Sequence, residues 1–119
     1  MIIKRNQIMN GDITEFVIEG HISVDMMIDT FKHEYATVSK LVLWDVSEAD
    51  LSDFTSGEMT RIASAAKQYS IHEKTAFVGE SPFLFGMMRM YEAHSEMQGV
   101  PLAMSVFRDR SEACKWLKG

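Results

Sequence analysis

The chain has 119 residues, 46% of them hydrophobic and 24% charged, a composition that predicts one soluble globular domain over 1–119 and excludes a disordered segment. Its formal net charge of −5 argues against wrapping a nucleic-acid backbone, which takes a basic stripe, and against adhesion to a membrane through basic residues. A single cysteine, Cys114, leaves no internal disulfide and fits a reducing cytoplasm, while "MIIKRNQIMNGD" has no signal core and no apolar run approaches a membrane span.

"IIKRNQI" and "TEFVIEG" read as two strands around an "NGD" turn, a hairpin in which Phe16 and Ile18 share a face. Ser23 is placed to cap a first helix, whose Met27, Ile28 and Phe31 recur at helical spacing and whose Lys32 and His33 suit its C-terminal dipole. "KLVLWD" is a continuous apolar run, as expected of a central strand covered on both faces. A second helix follows over roughly Ser56 to Ser70, with Met59, Ile62, Ala63, Ala66 and Tyr69 on one stripe. "KTAFVG" is a third buried strand. "ESPFLFGMMRMYEAHSEMQG" is a helix with Ser81 as cap, Pro82 at its first position and Gly99 as stop. "PLAMSVF" is the last strand, and "DRSEACKWLKG" a closing helix whose Asp109 and Glu112 have capping-box spacing. The order β-β-α-β-α-β-α-β-α predicts an α/β fold with a mixed, mostly parallel central sheet, begun by an antiparallel hairpin and covered by helices.

That order, with "LVLWDVSEADLSDFTSGEM", "FGMMRMYEAH" and "VFRDRSEACKWL", resembles the STAS family (sulfate transporter and anti-sigma factor antagonist domain). The likeness runs over nearly the whole chain and is nearer to the small stand-alone bacterial branch called SpoIIAA-like. The resemblance implies a compact, non-enzymatic α/β domain, related in architecture to lipid-carrying CRAL-TRIO domains, that regulates by binding another protein. In signalling members a serine just before a glycine, at the start of the second helix, is phosphorylated by a partner kinase that is also an anti-sigma factor. The matching segment here is Asp53-Phe54-Thr55-Ser56-Gly57. Ser56 keeps its place before Gly57, and Phe54 makes the segment one residue longer than the family's Asp-Ser-Ser-Gly or Asp-Ser-Thr-Gly.

Capping accounts for most of the same segment. Thr55 and Glu58 form a capping-box pattern, and Phe54 and Met59 have hydrophobic-staple spacing. Ser56 is left over: at the first helical position its hydroxyl would be free near the positive end of the dipole, where a phosphate is stabilised. The Glu58 carboxylate, two residues on, would repel it.

The third helix carries the other candidate. At about 100° per residue, Phe83, Met87, Met90, Tyr91 and His94 share one face, with Glu92, Glu96, Arg89 and Phe85 opposite. A core helix is the plain reading. The alternative is that surplus methionine and aromatic surface, Phe83, Phe85, Met87, Met90 and Tyr91 with His94 as its polar group, lines a groove for a partner or a lipid-like apolar ligand against the sheet. Homodimerisation through exposed apolar surface is a third use of such residues.

Other chemistry finds little support. Asp45 ends a central strand as a receiver aspartate would, but "EGHIS" and "RDRSE" stand where that chemistry needs an acidic pair and a lysine. No nucleotide-binding glycine loop occurs. His21, His33, His72 and His94 lack metal-ligand spacing, and Cys114 between Ala113 and Lys115 reads as an inert thiol. No catalytic residue, metal or cofactor is expected.

Overall fold

The computed structural model describes residues 2–119. Five strands, β1 (Ile3–Ile8), β2 (Ile13–His21), β3 (Leu41–Asp50), β4 (Lys74–Val78) and β5 (Ala103–Phe107), lie side by side in chain order. β1 and β2 are antiparallel and every later pair is parallel. The helices are α1 (Val24–Glu34), α2 (Ser56–Tyr69), α3 (Pro82–Gln98) and α4 (Arg110–Lys118). This is the expected α/β architecture: a mixed sheet begun by a hairpin.

The layering follows from the strand order. Each parallel crossover steps to the next strand in the same direction, and right-handed crossovers of that kind all leave their helix on one face. α1, α2 and α3 accordingly share one core with Phe16, Ile18, Val42, Trp44, Val46 and Phe77. α4, which follows the last strand, packs on the other face, where Ala113, Cys114 and Leu117 meet Ile13, Leu43, Ala76 and Val78. β3 therefore supplies apolar side chains to both faces, as its continuous apolar run requires.

Inside the larger core, Trp44 stacks on Phe16 with ring centroids 4.5 Å apart, and its indole N–H donates to the Tyr35 hydroxyl at 2.9 Å. A buried indole and phenol thereby satisfy each other.

One strand end and the orientation of one helix depart most from expectation. β3 runs five residues past Asp45, because Glu48, Ala49 and Asp50 pair with Glu19, Gly20 and His21 beyond a register shift after Val17. α3 also turns a different side inward. Its buried residues are Leu84, Met88, Tyr91 and Ser95, roughly a quarter of a turn from the face expected at 3.6 residues per turn. Phe83, Met90 and Met97 are 67%, 45% and 81% exposed. The cause is the β4–α3 connection. A Cβ at Gly79 would stand 2.9 Å from the backbone carbon of Leu84, so only glycine lets the first turn of α3 sit this close, with Leu84 in the core. Tyr91 then meets Phe77 edge-on at 5.5 Å. At the far end Gly99 adopts φ 72°, the left-handed conformation that closes a helix.

Candidate functional site

The start of α2 stands at the carboxyl end of the parallel strands, directly after β3. After β3, Leu51 and Phe54 are buried and fix the loop. Phe54 and Met59 join the same core cluster, forming the expected staple. Thr55 Oγ1 accepts from the Glu58 amide at 3.4 Å, so Thr55 is the cap. Only this half of the capping box forms. The Thr55 amide donates to the Asp53 carbonyl instead, at 3.0 Å, and the Glu58 carboxylate accepts from Arg61 Nη1 at 2.8 Å.

Ser56 and Gly57 are exposed at the first two helical positions, where amides have no intrahelical acceptor. Ser56 Oγ lies 3.1 Å from His94 Nε2. The other ring nitrogen, Nδ1, is 3.1 Å from Thr60 Oγ1, one helical turn after Ser56. A neutral imidazole has one donor and one acceptor. Thr60 Oγ1 lies 3.4 Å from the Ser56 carbonyl, so the consistent assignment has Thr60 donating there and accepting from His94 Nδ1–H. His94 Nε2 then accepts from the Ser56 hydroxyl. One residue from each of the two candidates read separately from the sequence, Ser56 and His94, meets in this cluster, which Thr60 completes.

Charges complete the rim. His21 Nε2 is 3.0 Å from Asp53 Oδ2, both half-exposed. Arg61 bridges Glu58 and Asp25, and the Asp25 contact followed by that of Glu58 raises its pKa further. The Ser52 side chain and amide hold Asp50 below the usual carboxylate range. Asp53, Thr55, Glu58 and Arg61 share a shallow depression of about 440 Å³ with Ser23 and Asp25 at the start of α1. Because Glu58 is engaged by Arg61, its charge is partly neutralised and the repulsion expected at Ser56 is reduced.

The α3 residues divide three ways. His94 and Met87, both half-buried, lie on the flank next to α2; Phe83 and Met90 face solvent; Tyr91 is buried. Phe85 is half-buried against the main core. They do not line one groove. A small cavity of about 20 Å³ does lie between the helices and the sheet, walled by apolar surface of Met27, Trp44, Phe54, Phe77, Met88 and Tyr91 among others. Met88, a neighbour of the two methionines expected there, is the α3 methionine at its wall.

The Ser56–His94 pair differs from a hydrolytic triad in its third member. Thr60 is neutral and cannot stabilise an imidazolium as a buried carboxylate does. Among the described residues no group of three or more His, Cys, Asp or Glu side chains could hold a metal. Cys114 is buried, and burial pushes its thiol pKa up, which lowers its reactivity. No described helix is long and apolar enough to cross a membrane. Sequence reasoning missed the roles of His21, Thr60 and Arg61; Thr60, at i+4 from Ser56, and Arg61, at i+3 from Glu58, carried a local signal, and His21 carried none.

No protein-family model matches the chain, and no curated protein matches it. Among solved structures it is similar to an uncharacterised protein of the DUF3478 family with a SpoIIAA-like fold from Shewanella loihica PV-4. The identity is 16% and the TM-score 0.60, over 97% of this chain and 91% of that one. The chain has a SpoIIAA-like fold.

Proposed function

We propose that the chain is a non-enzymatic regulatory domain of STAS type that docks on a protein partner through Asp53–Gly57, with Ser56 as phosphoacceptor or contact residue. The partner class is a kinase or an anti-sigma-like regulator. One observation carries this reading: Ser56 is exposed at the first position of a capped helix with His94 Nε2 at 3.1 Å. An imidazole that accepts the hydroxyl proton makes that oxygen a better acceptor for a phosphoryl group brought by a kinase. Once formed, the phosphate would meet first-turn amides and the positive end of the helix dipole, with the His94 ring beside it. Thr55 remains the cap, which separates the two roles that the segment combines.

The test is mass spectrometry of the protein from its own cells, with peptide mapping of residues 51–67. A phosphate on Ser56 supports the phospho-switch and an unmodified serine counts against it. Partner affinity unchanged by Ser56→Asp would also remove Ser56 from the contact.

The second reading, a carrier of a lipid-like or other apolar ligand, has the apolar cavity beside Met88 in its favour. The cavity has room for about one water molecule, so an apolar guest would enter only by displacing the flexible Met88 and Met27 side chains at its wall. A non-covalent mass retained by the protein in native spectra, and lost on Met88→Trp, supports it; a chain that carries nothing overturns it.

A further inference from the structure

We propose that the solvent side of α3 is a homodimer interface, in which α3 packs antiparallel against α3 of a second copy about a two-fold axis. This surface is separate from the Ser56–His94 cluster, which lies on the α2 flank, and does not depend on its function. Phe83, Gly86, Met90, Ala93 and Met97 recur at helical spacing along the exposed side of α3. Among the described residues, Phe83, Met90 and Met97 are three of the six large hydrophobic residues with substantial exposure. A stripe of that kind on one helix marks an interaction surface.

Self-complementarity selects a second copy as the occupant. In an antiparallel register centred between Met90 and Ala93, Met97 of each copy enters the space over Gly86 of the other, and Met90 faces Ala93. Met90 and Met97 each then meet a small residue, while Phe83 falls opposite Val100, just beyond the end of α3. A Cβ at Gly86 would touch nothing within 4 Å, so the seat is open in the monomer. The flank repeats the pattern in charge. Arg89 and Glu96 are two turns apart on one flank. The same register brings Arg89 of each copy within two residues of the position facing Glu96 of the other, about 3 Å along the axis. That is within the span of the two long side chains, giving two symmetric ion pairs. Arg89 is 63% exposed, and its one ion pair among the described residues is with Glu92, at 3.3 Å. Glu96 is exposed and has no ion pair among the described residues. An isologous interface requires this reciprocity; a bilayer would not select it, and a net charge of −5 opposes anionic lipid. The patch is small, which predicts weak association.

Sedimentation velocity of the full chain up to about 1 mM, a range that reaches weak affinities, tests this. A monomer–dimer equilibrium is expected. Arg89→Glu or Glu96→Arg alone sets like charges opposite each other and should weaken it about tenfold or more. The double variant should return it to within about threefold of wild type, because only an antiparallel two-fold pairing restores both ion pairs. Gly86→Leu should abolish the dimer without lowering the melting temperature. A monomer at every concentration, a dimer indifferent to Gly86→Leu, or a double variant as weak as the singles would overturn the proposal. So would a chain that stays monomeric and pellets with phosphatidylcholine vesicles.

Discussion

Ser56 on α2 and His94 on α3 are 38 residues apart, and their side chains meet at 3.1 Å between Oγ and Nε2. The contact exists because α2 and α3 pack side by side on one face of the sheet, bringing the first turn of one helix beside the last turns of the other. A group added to Ser56 would therefore stand directly beside α3.

Cap and site should separate under mutation. Thr55 caps α2 through the Glu58 amide, so Thr55→Ala should destabilise the fold by about 1 kcal/mol. Ser56→Ala removes one exposed hydroxyl and should stay within about 0.5 kcal/mol of wild type. Ser56→Asp should be as stable or slightly more so, since an acid suits the first helical turn. Urea denaturation of the three variants decides it. A loss at Ser56→Ala equal to that at Thr55→Ala would make Ser56 part of the cap.

The element order, the hairpin and the caps Ser23, Thr55, Ser81 and Asp109 were all legible, since each depends on residues within one turn of each other. The inward side of α3 was not. Phe83, Leu84, Phe85, Met87, Met88, Met90, Tyr91 and Met97 surround the helix, so periodicity gives no single direction and the Gly79 turn chooses one. The end of β3 was hidden because Glu48 and Asp50 look like loop residues, although β2 pairs with them. At the candidate site Ser56 was visible from its local pattern. Its contact with His94 depends on helix packing, which no spacing rule encodes.

Two α3 methionines measure that choice of side directly. Met88 is 3% exposed in the main core and borders the apolar cavity; Met88→Ala should destabilise by about 2–5 kcal/mol. Met90 is 45% exposed, and Met90→Ala should change monomer stability by about 0.5 kcal/mol or less. Denaturant titration at low protein concentration, where association does not contribute, reads both. Equal losses would contradict the observed orientation.

On the opposite face of the sheet, Glu15 is 4% exposed. Its carboxylate accepts from Arg110 Nε at 2.7 Å and from Asn6 Nδ2 at 3.2 Å. The pair ties α4 to β2 across most of the chain length. Arg110→Ala leaves the buried carboxylate with Asn6 alone; since Arg110 itself is half-exposed, the expected loss is about 2 kcal/mol, below that for a fully buried pair. Glu15→Leu in the same chain should recover part of it, because the unpaired charge is then gone. A double variant less stable than Arg110→Ala would show that Glu15 contributes through some other contact.

His72 makes stability fall on mild acidification. Its side chain is buried with Nε2 2.6 Å from Thr75 Oγ1, Nδ1 without a hydrogen-bond partner and the Tyr35 ring edge-on at 4.9 Å. Burial lowers its pKa to about 4, against 6.5 for the free side chain. Between those values the unfolded chain binds a proton that the folded chain refuses, so stability is complete above about pH 6.5 and declines as pH falls towards 4. At about 1.4 kcal/mol per pH unit the loss approaches about 3 kcal/mol, after which the folded state also protonates and this contribution levels off. His72→Gln keeps a partner for Thr75 and cannot titrate. Denaturation free energies at pH 7, 6, 5 and 4 should therefore decline less steeply in the variant than in wild type, the difference being the contribution of His72. Parallel curves would mean that acid reaches the fold through its carboxylates alone.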